Sequence, residues 1–590
     1  MKYSDFLCEI LRETGYTHCF SVGGGNIMHL TESASRYFQV IPVVHEVACG
    51  IACEYFNALQ DKQKAFALVT AGPGLSNIVT AIAGAYFESR ELLVIGGQVK
   101  TSDLSYGKVR QKGIQEIDGV EIVKSITKYA IRLDNLINKE SFLNILKIAE
   151  NPRKGPIFIE IPLDIQAKTI KNEDNLQKLQ FVNSELKFAS SLQIKQIATK
   201  VKNAQRPVFL LGGGINKFGV MPEVLKNLAN DSVVIQTSWN GIDLIDSSHP
   251  LFFGRPDNWG QRYANILLQQ ADLLVAFGSK LGMQQTGFNY QEFVPNGEII
   301  QIDCDENELN KGHPKIFIGL NCDANDLLMK LSKEDLGSHQ NWIDFCRDVK
   351  ALLPLNEACN SNAKDFISPY NFSLILATLC NNNDIIIPCS SGGASTVLMQ
   401  SFNQKFGQKI LNNKALASMG YGLSGAIGAS IANPDKRTIL IEGDGGFSQN
   451  LQEIATASTN NLNLKIFIFE NSGYASIRMT QKNYFNGKYV GCDINTGLGF
   501  PNWFKLFEAY EVEALEIKNE DFVNDKKFIE LFNNKKCVAF IVKIDPEQTY
   551  FPKISSRVKN DGSMESNPLH LMTPELEPDL AKKVLKYIET

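Results

Sequence analysis

Short runs rich in Ile, Val, Leu and Phe recur along the chain, separated by longer stretches of mixed character. The runs Ala65–Thr70, Leu92–Gly96, Pro156–Ile161, Pro207–Leu211, Ser232–Gln236, Asp272–Phe277, Glu298–Asp303, Asp384–Pro388, Arg437–Ile441, Leu464–Phe469 and Cys537–Lys543 predict strands. Most are continuously apolar rather than alternating, the pattern of parallel strands covered on both faces. The stretches between them are long enough for crossover helices, so the expected class is α/β.

Two polar stretches, Lys171–Lys187 and Pro354–Asp365, read as linkers. They predict three doubly wound parallel-sheet domains, at 1–170, 188–345 and 366–550, with an irregular polar tail at 551–590. The first and third domains echo each other. Gly72-Pro73-Gly74-Leu75-Ser76 resembles Gly420-Tyr421-Gly422-Leu423-Ser424, and each precedes a small-residue helix and an apolar strand ending in Gly.

Composition narrows the function classes. The chain has 590 residues with 64 acidic and 59 basic side chains, a formal net charge of −5. That balance argues against nucleic acid as a partner, because neutralising phosphates needs a basic surplus. The polar start lacks an apolar signal region, and no apolar run reaches the ~18 residues of a membrane span. The twelve Cys are scattered and mostly in apolar surroundings, with only Cys49 and Cys53 close in sequence, and none forms a C-x-x-C pair. Reduced, buried thiols in a cytoplasmic protein are expected.

The sharpest chemical feature is Gly443-Asp444-Gly445-Gly446-Phe447, directly after a predicted strand. Ligands collect at the carboxyl ends of strands in open α/β sheets. Glycines there admit a phosphate, a helix starting near Ser448 would aim N–H groups at it, and Asp444 offers a hard oxygen suited to Mg²⁺. After Gly445 come 24 residues and then Glu470-Asn471-Ser472-Gly473-Tyr474. One βαβ crossover would bring the two strand ends side by side. Asp444, Asn471 and a backbone carbonyl near Gly473 would then face one ion, leaving positions for a diphosphate and water.

This arrangement resembles the thiamine-diphosphate-dependent enzymes, whose signature is G-D-G, about two dozen residues, then N-N. Glu470 stands where the family has its first Asn, and Asn471 matches the second. The nearest likeness is to the acetohydroxyacid (acetolactate) synthase and pyruvate oxidase group, over nearly the whole chain. The resemblance implies a pyrimidine-binding first domain, a central domain and a diphosphate-binding third domain. Val43-Val44-His45-Glu46-Val47-Ala48 resembles the segment bearing the family's catalytic Glu. A Glu in a helix's first turn commonly just complements the dipole. The resemblance instead gives Glu46 the aminopyrimidine ring and a proton relay.

The same resemblance assigns further residues. Pro73 and Asn77 match a loop beside the pyrimidine. Ser391, Gly392, Gly393 and Ala394 match the far side of the diphosphate; the synthases usually have Gln-His-Gln after the Gly, so backbone contacts must serve here. Ala417 matches a carbonyl acceptor for the exocyclic amine, and Met419 the apolar prop beneath the bent cofactor. Gly443, Gly445, Gly446 and Tyr474 flank the cation ligands. Gly24 matches a substrate-pocket glycine, in a segment where Gly23 replaces the usual Pro, and Gln115 matches a substrate-pocket Gln. Lys128 matches a Lys in the synthases' following Thr-Lys. Central-domain segments around Gly212-Gly213-Gly214, Phe277–Lys280 and Gln301–Asp305 resemble flavin-holding segments but also occur in flavin-free members, leaving FAD open.

The implied activity is a Mg²⁺-dependent carboligase that decarboxylates a 2-oxo acid, with pyruvate expected, and transfers the acyl unit to a 2-oxo acid or keto-sugar. Tyr474–Gln481 looks more like the synthase-like carboligases encoded among sugar-modifying enzymes than like ordinary acetolactate synthases. Arg478 is expected on an exposed helix face, with contact to an anionic acceptor as the sharper reading. A simple decarboxylase, an FAD-dependent pyruvate oxidase and a non-catalytic cofactor-binding protein are the alternatives. The scattered His residues speak against the decarboxylase, whose relatives often carry adjacent pairs. A homodimer or homotetramer is implied, with each site between the first domain of one subunit and the third of another.

Overall fold

A computed structural model describes residues 1–171, 176–181, 185–558 and 561–588. Part of the predicted linker at Lys171–Lys187, residues 172–175 and 182–184, lies outside the described residues. Three parallel sheets carry the architecture. The first contains β1 (Tyr16–Ser21), β2 (Gln39–Pro42), β3 (Lys64–Val69), β4 (Leu92–Gln98), β5 (Tyr129–Arg132) and β6 (Pro156–Pro162), in the order β2-β1-β3-β4-β6-β5. The second contains β7 (Pro207–Leu211), β8 (Val234–Thr237), β9 (Leu273–Phe277), β10 (Glu298–Asp303) and β11 (Ile318–Asn321), in the order β11-β10-β9-β7-β8. The third contains β12 (Ile385–Ile387), β13 (Lys409–Ile410), β14 (Thr438–Gly443), β15 (Leu464–Glu470), β16 (Glu513–Ile517) and β17 (Val538–Lys543), in the order β13-β12-β14-β15-β17-β16.

The first and third sheets have the same strand order once renumbered, which agrees with the echo in their sequences. In each, the order reverses between the first and third strands, at β1/β3 and at β12/β14. Loops leaving the carboxyl ends of such a pair diverge and leave a crevice. Val22–Asn26 and Thr70–Asn77 border the crevice of the first sheet. Cys389–Ala394 and Gly443–Gly446 border that of the third.

The first and third domains share one apolar core. Its centre is the crossing of two helices, Glu46–Leu59 and Tyr421–Ala432. Both are dominated by small and apolar residues with no broad polar face, so both belong inside. Gly425 lies under the Tyr55 ring and Gly428 against the backbone of Ala52, so at Gly428 the two helices meet backbone to backbone. Beside the crossing, the fully buried Glu54 accepts from Arg90 Nη1 at 2.7 Å and from Asn413 Nδ2 at 3.3 Å, and also from the Tyr421 hydroxyl. Burial raises its carboxyl pKa, and the Arg90 guanidinium opposes that rise.

One expectation needs correction. The tail after Phe551 is not irregular: Lys553–Ile554 pairs antiparallel with Met572–Thr573, and Pro578–Val584 is a helix. Leu569, Val584 and Leu585 are buried in the core of the middle domain, and Gln270 Nε2 donates to the Val584 carbonyl at 2.9 Å. Apolar residues widely spaced in a polar segment make this docking. The stretch Pro354–Asp365 is likewise held down, with Asn360 fully buried and its Nδ2 donating to the Phe551 carbonyl at 2.8 Å.

Candidate active site

Two groups of side chains stand at the two crevices. In the first domain, β2 runs into the helix Glu46–Leu59, whose first residue is Glu46 and whose cap is His45, with Nδ1 accepting from Val47 N at 3.3 Å. Glu46 is buried, and Asn77 Nδ2 donates to its Oε2 at 3.0 Å. Asn77 comes from the first turns of the helix Pro73–Phe87, which begins at Pro73 directly after Gly72. Gln115 packs so closely on Gly72 that a β-carbon there would lie 2.7 Å from the Gln115 carbonyl oxygen, and Gly24 is as tight against Thr70. Gly24, Pro73, Asn77, Gln115 and Glu46 therefore all border the β1/β3 crevice. Gln115 holds φ at +65°, a strained state for a side-chain-bearing residue of the kind that clusters at functional loops.

In the third domain, β14 delivers Asp444 and β15 delivers Asn471, and the two strands are hydrogen-bonded neighbours. Asp444 is 1% exposed. Its Oδ1 accepts from Gly445 N at 2.7 Å, and its Oδ2 from Asn471 N at 3.0 Å and Gly473 N at 3.3 Å. Burial pushes its carboxyl up to about 7 even so, with the three amides pulling the other way. Asn471 Oδ1 is buried with no partner. A buried carboxylate beside an orphaned amide oxygen is a donor set short of a hard cation, and it fits Mg²⁺. Among the described residues no three His, Cys, Asp or Glu side chains gather as a metal-binding group.

Around this pair the glycines divide into two kinds. A β-carbon on Gly445 would lie 2.3 Å from the Tyr474 ring, and one on Gly393 2.6 Å from the Tyr550 ring, so these two are held under aromatics. Gly392 and Gly443 would meet nothing within 4 Å. They face open space at the carboxyl ends of β12 and β14, where a diphosphate fits. Ser391, Gly392, Gly393 and Ala394 pass from an extended residue into the helix Gly392–Ser401, directing amides at that space. Gly446 lies beside buried Glu442, whose carboxyl burial pushes up to about 8. Ala417 has φ +55°, and Met419 is 37% exposed, which leaves its side chain available to a ligand. The helix expected near Ser448 starts earlier, as a turn over Asp444–Phe447, followed after a break by Ile454–Thr459.

Some residues of this site left no mark in the sequence. Glu453 Oε1 accepts from His45 N at 2.9 Å and Val44 N at 3.2 Å, anchoring the turn that presents Glu46 from the other domain. Tyr550 follows the last strand of the third sheet and closes over Gly393. Arg478 is a correction: it is buried, not on an exposed helix face, and its Nη2 donates to the Asn471 carbonyl at 2.8 Å. Glu470, the departure from the family's N-N, forms an ion pair with Lys543 on the neighbouring strand β17.

Family comparisons agree with this geometry. Residues 1–122 match the N-terminal TPP binding domain of thiamine pyrophosphate enzymes, residues 194–331 their central domain, and residues 391–542 their C-terminal TPP binding domain. The chain is 28% identical over 567 residues to the acetolactate synthase isozyme 1 large subunit of Escherichia coli, covering 94% of this chain and 96% of that protein. It is 29% identical over 563 residues to the probable acetolactate synthase large subunit of Methanocaldococcus jannaschii, covering 93% of each. It is also 28% identical over 543 residues to the chloroplastic acetolactate synthase 1 of Nicotiana tabacum, covering 88% of this chain and 78% of that protein. With three domain models matched in order along the greater part of its length, the chain belongs to the thiamine pyrophosphate enzymes and is similar to acetolactate synthase large subunits.

Proposed function

We propose that the protein is a thiamine-diphosphate- and Mg²⁺-dependent carboligase that takes its acyl unit from a 2-oxo acid, pyruvate first, and passes it to a second carbonyl compound. The observation that carries this reading is the pairing of buried Asp444 with the unpartnered Asn471 Oδ1, opposite open space at Gly392 and Gly443. When bound, thiamine diphosphate supplies the electron sink that 2-oxo acid decarboxylation needs. The protein's part is to bind, orient and relay. Asp444, Asn471 and the Gly473 carbonyl would hold the cation, and the loops of Ser391–Ala394 and Gly443–Gly446 the diphosphate. Ala417 and Met419 would position the rings. Glu46, fixed by Asn77, would give and take a proton at Oε. Gln115 and Gly24 border the space left for substrate.

Among the described residues no hydrogen bond or ion pair runs directly between Glu46 or Asn77 and Asp444 or Asn471; within one chain the turn before Glu46 is linked to the third domain through Glu453, which accepts from Val44 N and His45 N. Large apolar side chains stand exposed beside both, including Ile114 at 86% next to Gln115, and Ile477 and Phe485 beyond Tyr474. These features support a homodimer or homotetramer in which the clusters of different protomers face each other, with domain limits near residues 170, 188, 345, 366 and 550. Twelve free thiols support a reducing, cytoplasmic compartment. No helix among the described residues is long and apolar enough to cross a membrane.

A cleft of about 690 Å³ between the first and middle domains favours a second feature. It opens at the carboxyl ends of β9, β10 and β11 and is lined by Lys128, Arg153, Lys280, Cys304 and Asp305 among others. This is where FAD would lie, and flavin absorbance of the purified protein tests it. The main reading is tested by supplying thiamine diphosphate, Mg²⁺ and pyruvate with a panel of 2-oxo acids and keto-sugars, and identifying products by mass. Carboligation products are expected. Aldehyde alone would make it a decarboxylase, oxygen uptake an oxidase, and no turnover a silent binder.

A further inference from the structure

A second cavity, of about 130 Å³, lies at the seam of the middle and third domains, and none of its lining residues is one placed in the cofactor site. Its walls include Ser247, Arg255, Tyr263, Lys350 and Asn403, and no acidic residue lines it. Arg255 is 1% exposed. Its guanidinium donates only to neutral oxygens: the Met399 carbonyl at 2.8 Å, Gln404 Oε1 at 2.6 Å and the Phe402 carbonyl at 2.9 Å, with the Gln400 carbonyl at 3.5 Å. Lys350, in the last turn of the helix Gln340–Leu352, donates to the Phe252 carbonyl at 2.9 Å and lies over the Phe252 and Tyr263 rings. Among the described residues no carboxylate pairs with either cation.

Two like charges sharing one space repel, and taking each out of water is costly unless an opposite charge compensates. The effect shows in the groups themselves. Burial, with Arg255 adding to it, brings the Lys350 ammonium down to about 8, and burial brings Arg255 down to about 10. The Ser247 and Asn403 side chains also line the cavity, and neither is engaged by another described residue. Water occupies about 30 Å³ a molecule in the liquid, so the space suits an ion of a few heavy atoms and excludes a nucleotide.

We propose that this cavity is a binding site for a small phosphate-type oxyanion, held between Arg255 and Lys350 with Ser247 and Asn403 as neutral donors. The anion would join the two domains electrostatically. Through Arg255 it would also touch the carboxyl end of the helix Gly392–Ser401, whose opposite end borders the diphosphate space about 15 Å away. Free inorganic phosphate and the phosphoryl group of a small ester share this chemistry.

The test is thermal unfolding of the full chain loaded with thiamine diphosphate and Mg²⁺, so that the cofactor site is filled. Inorganic phosphate and glycerol phosphate are titrated against chloride at matched ionic strength. A saturable rise in Tm is expected with phosphate, and its loss in Lys350→Met. A rise with inorganic phosphate alone identifies the free ion as the ligand; a rise with both admits esters. No saturable rise, or an equal rise in Lys350→Met, overturns the proposal. Should that variant not fold, crystals of the unaltered protein grown in selenate decide. An anomalous peak between Arg255 and Lys350 is expected, and peaks confined to exposed lysines, an adventitious ion only, overturn it.

Discussion

Gly428 lies against the carbonyl of Ala52 so closely that a β-carbon on it would stand 2.0 Å from that oxygen. The obstacle is backbone on both sides, so no rotamer change can relieve it. Gly428→Ala is therefore expected to cost about 1–3 kcal/mol as an overpacked core contact and to loosen the seat of the first domain on the third. Urea unfolding, followed with and without cofactor, measures both effects.

Chelation should strip the bound cofactor, and Mg²⁺ should restore it. Asp444→Ala removes the only carboxylate of the proposed cation site. Restoration in that variant is expected to need at least about tenfold more Mg²⁺. Fluorescence titration of cofactor binding, at fixed thiamine diphosphate and rising Mg²⁺, gives the ratio directly.

Glu46→Gln keeps the shape and the Asn77 contact but cannot take up a proton. Turnover should fall by about 10²–10⁴ while cofactor affinity is largely kept. Mixing Glu46→Gln with Asp444→Ala protein should recover part of the activity, because a hybrid pair retains one intact site if the clusters come from different protomers. Recovery absent after subunit exchange would place both clusters of a site in one chain.

Arg478 holds the Asn471 carbonyl and has a buried Nε without a partner. Losing a charged hydrogen bond of this kind costs about 1.5–3 kcal/mol, so Arg478→Gln should weaken cofactor binding roughly tenfold or more. Lysine at the same place should recover part of it through charge alone. Calorimetric titration of the two variants separates charge from shape.

Glu160, on β6, is 1% exposed, and burial pushes its carboxyl up to about 7. A group with a raised native pKa binds more protons folded than unfolded. Its stabilising contribution is whole below about 4.5, the ordinary carboxyl value, and is lost as pH rises through about 7. Glu160→Gln should thus gain stability over the unaltered protein at pH 8, by about 1–3 kcal/mol, with the advantage vanishing near pH 4.5. Thermal melts across that range test the sign.

Central strands could be read from the chain because burial on both faces leaves continuous apolar runs, as in Leu464–Phe469 and Pro156–Ile161. The overlooked strands β2, β5, β11, β13 and β16 are sheet edges, where side chains are half-exposed or the strand is only two residues long; β1 was also overlooked although it is central, because Thr17 and His18 interrupt its apolar run. The candidate site was legible where each part is local to one strand end: Asp444 after β14, Asn471 after β15, Glu46 after β2. What stayed hidden depends on distant pairing. Glu453 meets His45 across 408 positions, Arg478 turns inward only because Asn471 offers a carbonyl, and the tail's few apolar residues find their place on a domain that precedes them by some 300 residues.

The ion pair between Glu470 and Lys543 makes the altered motif a matter of two positions, not one. Asn at 470 alone would leave an unmatched ammonium on β17 near the ligands of the proposed cation, competing for the same anionic groups; changing Lys543 alone would leave a second carboxylate crowding Asp444. Either single step passes through a poorer cofactor site than the start or the finish.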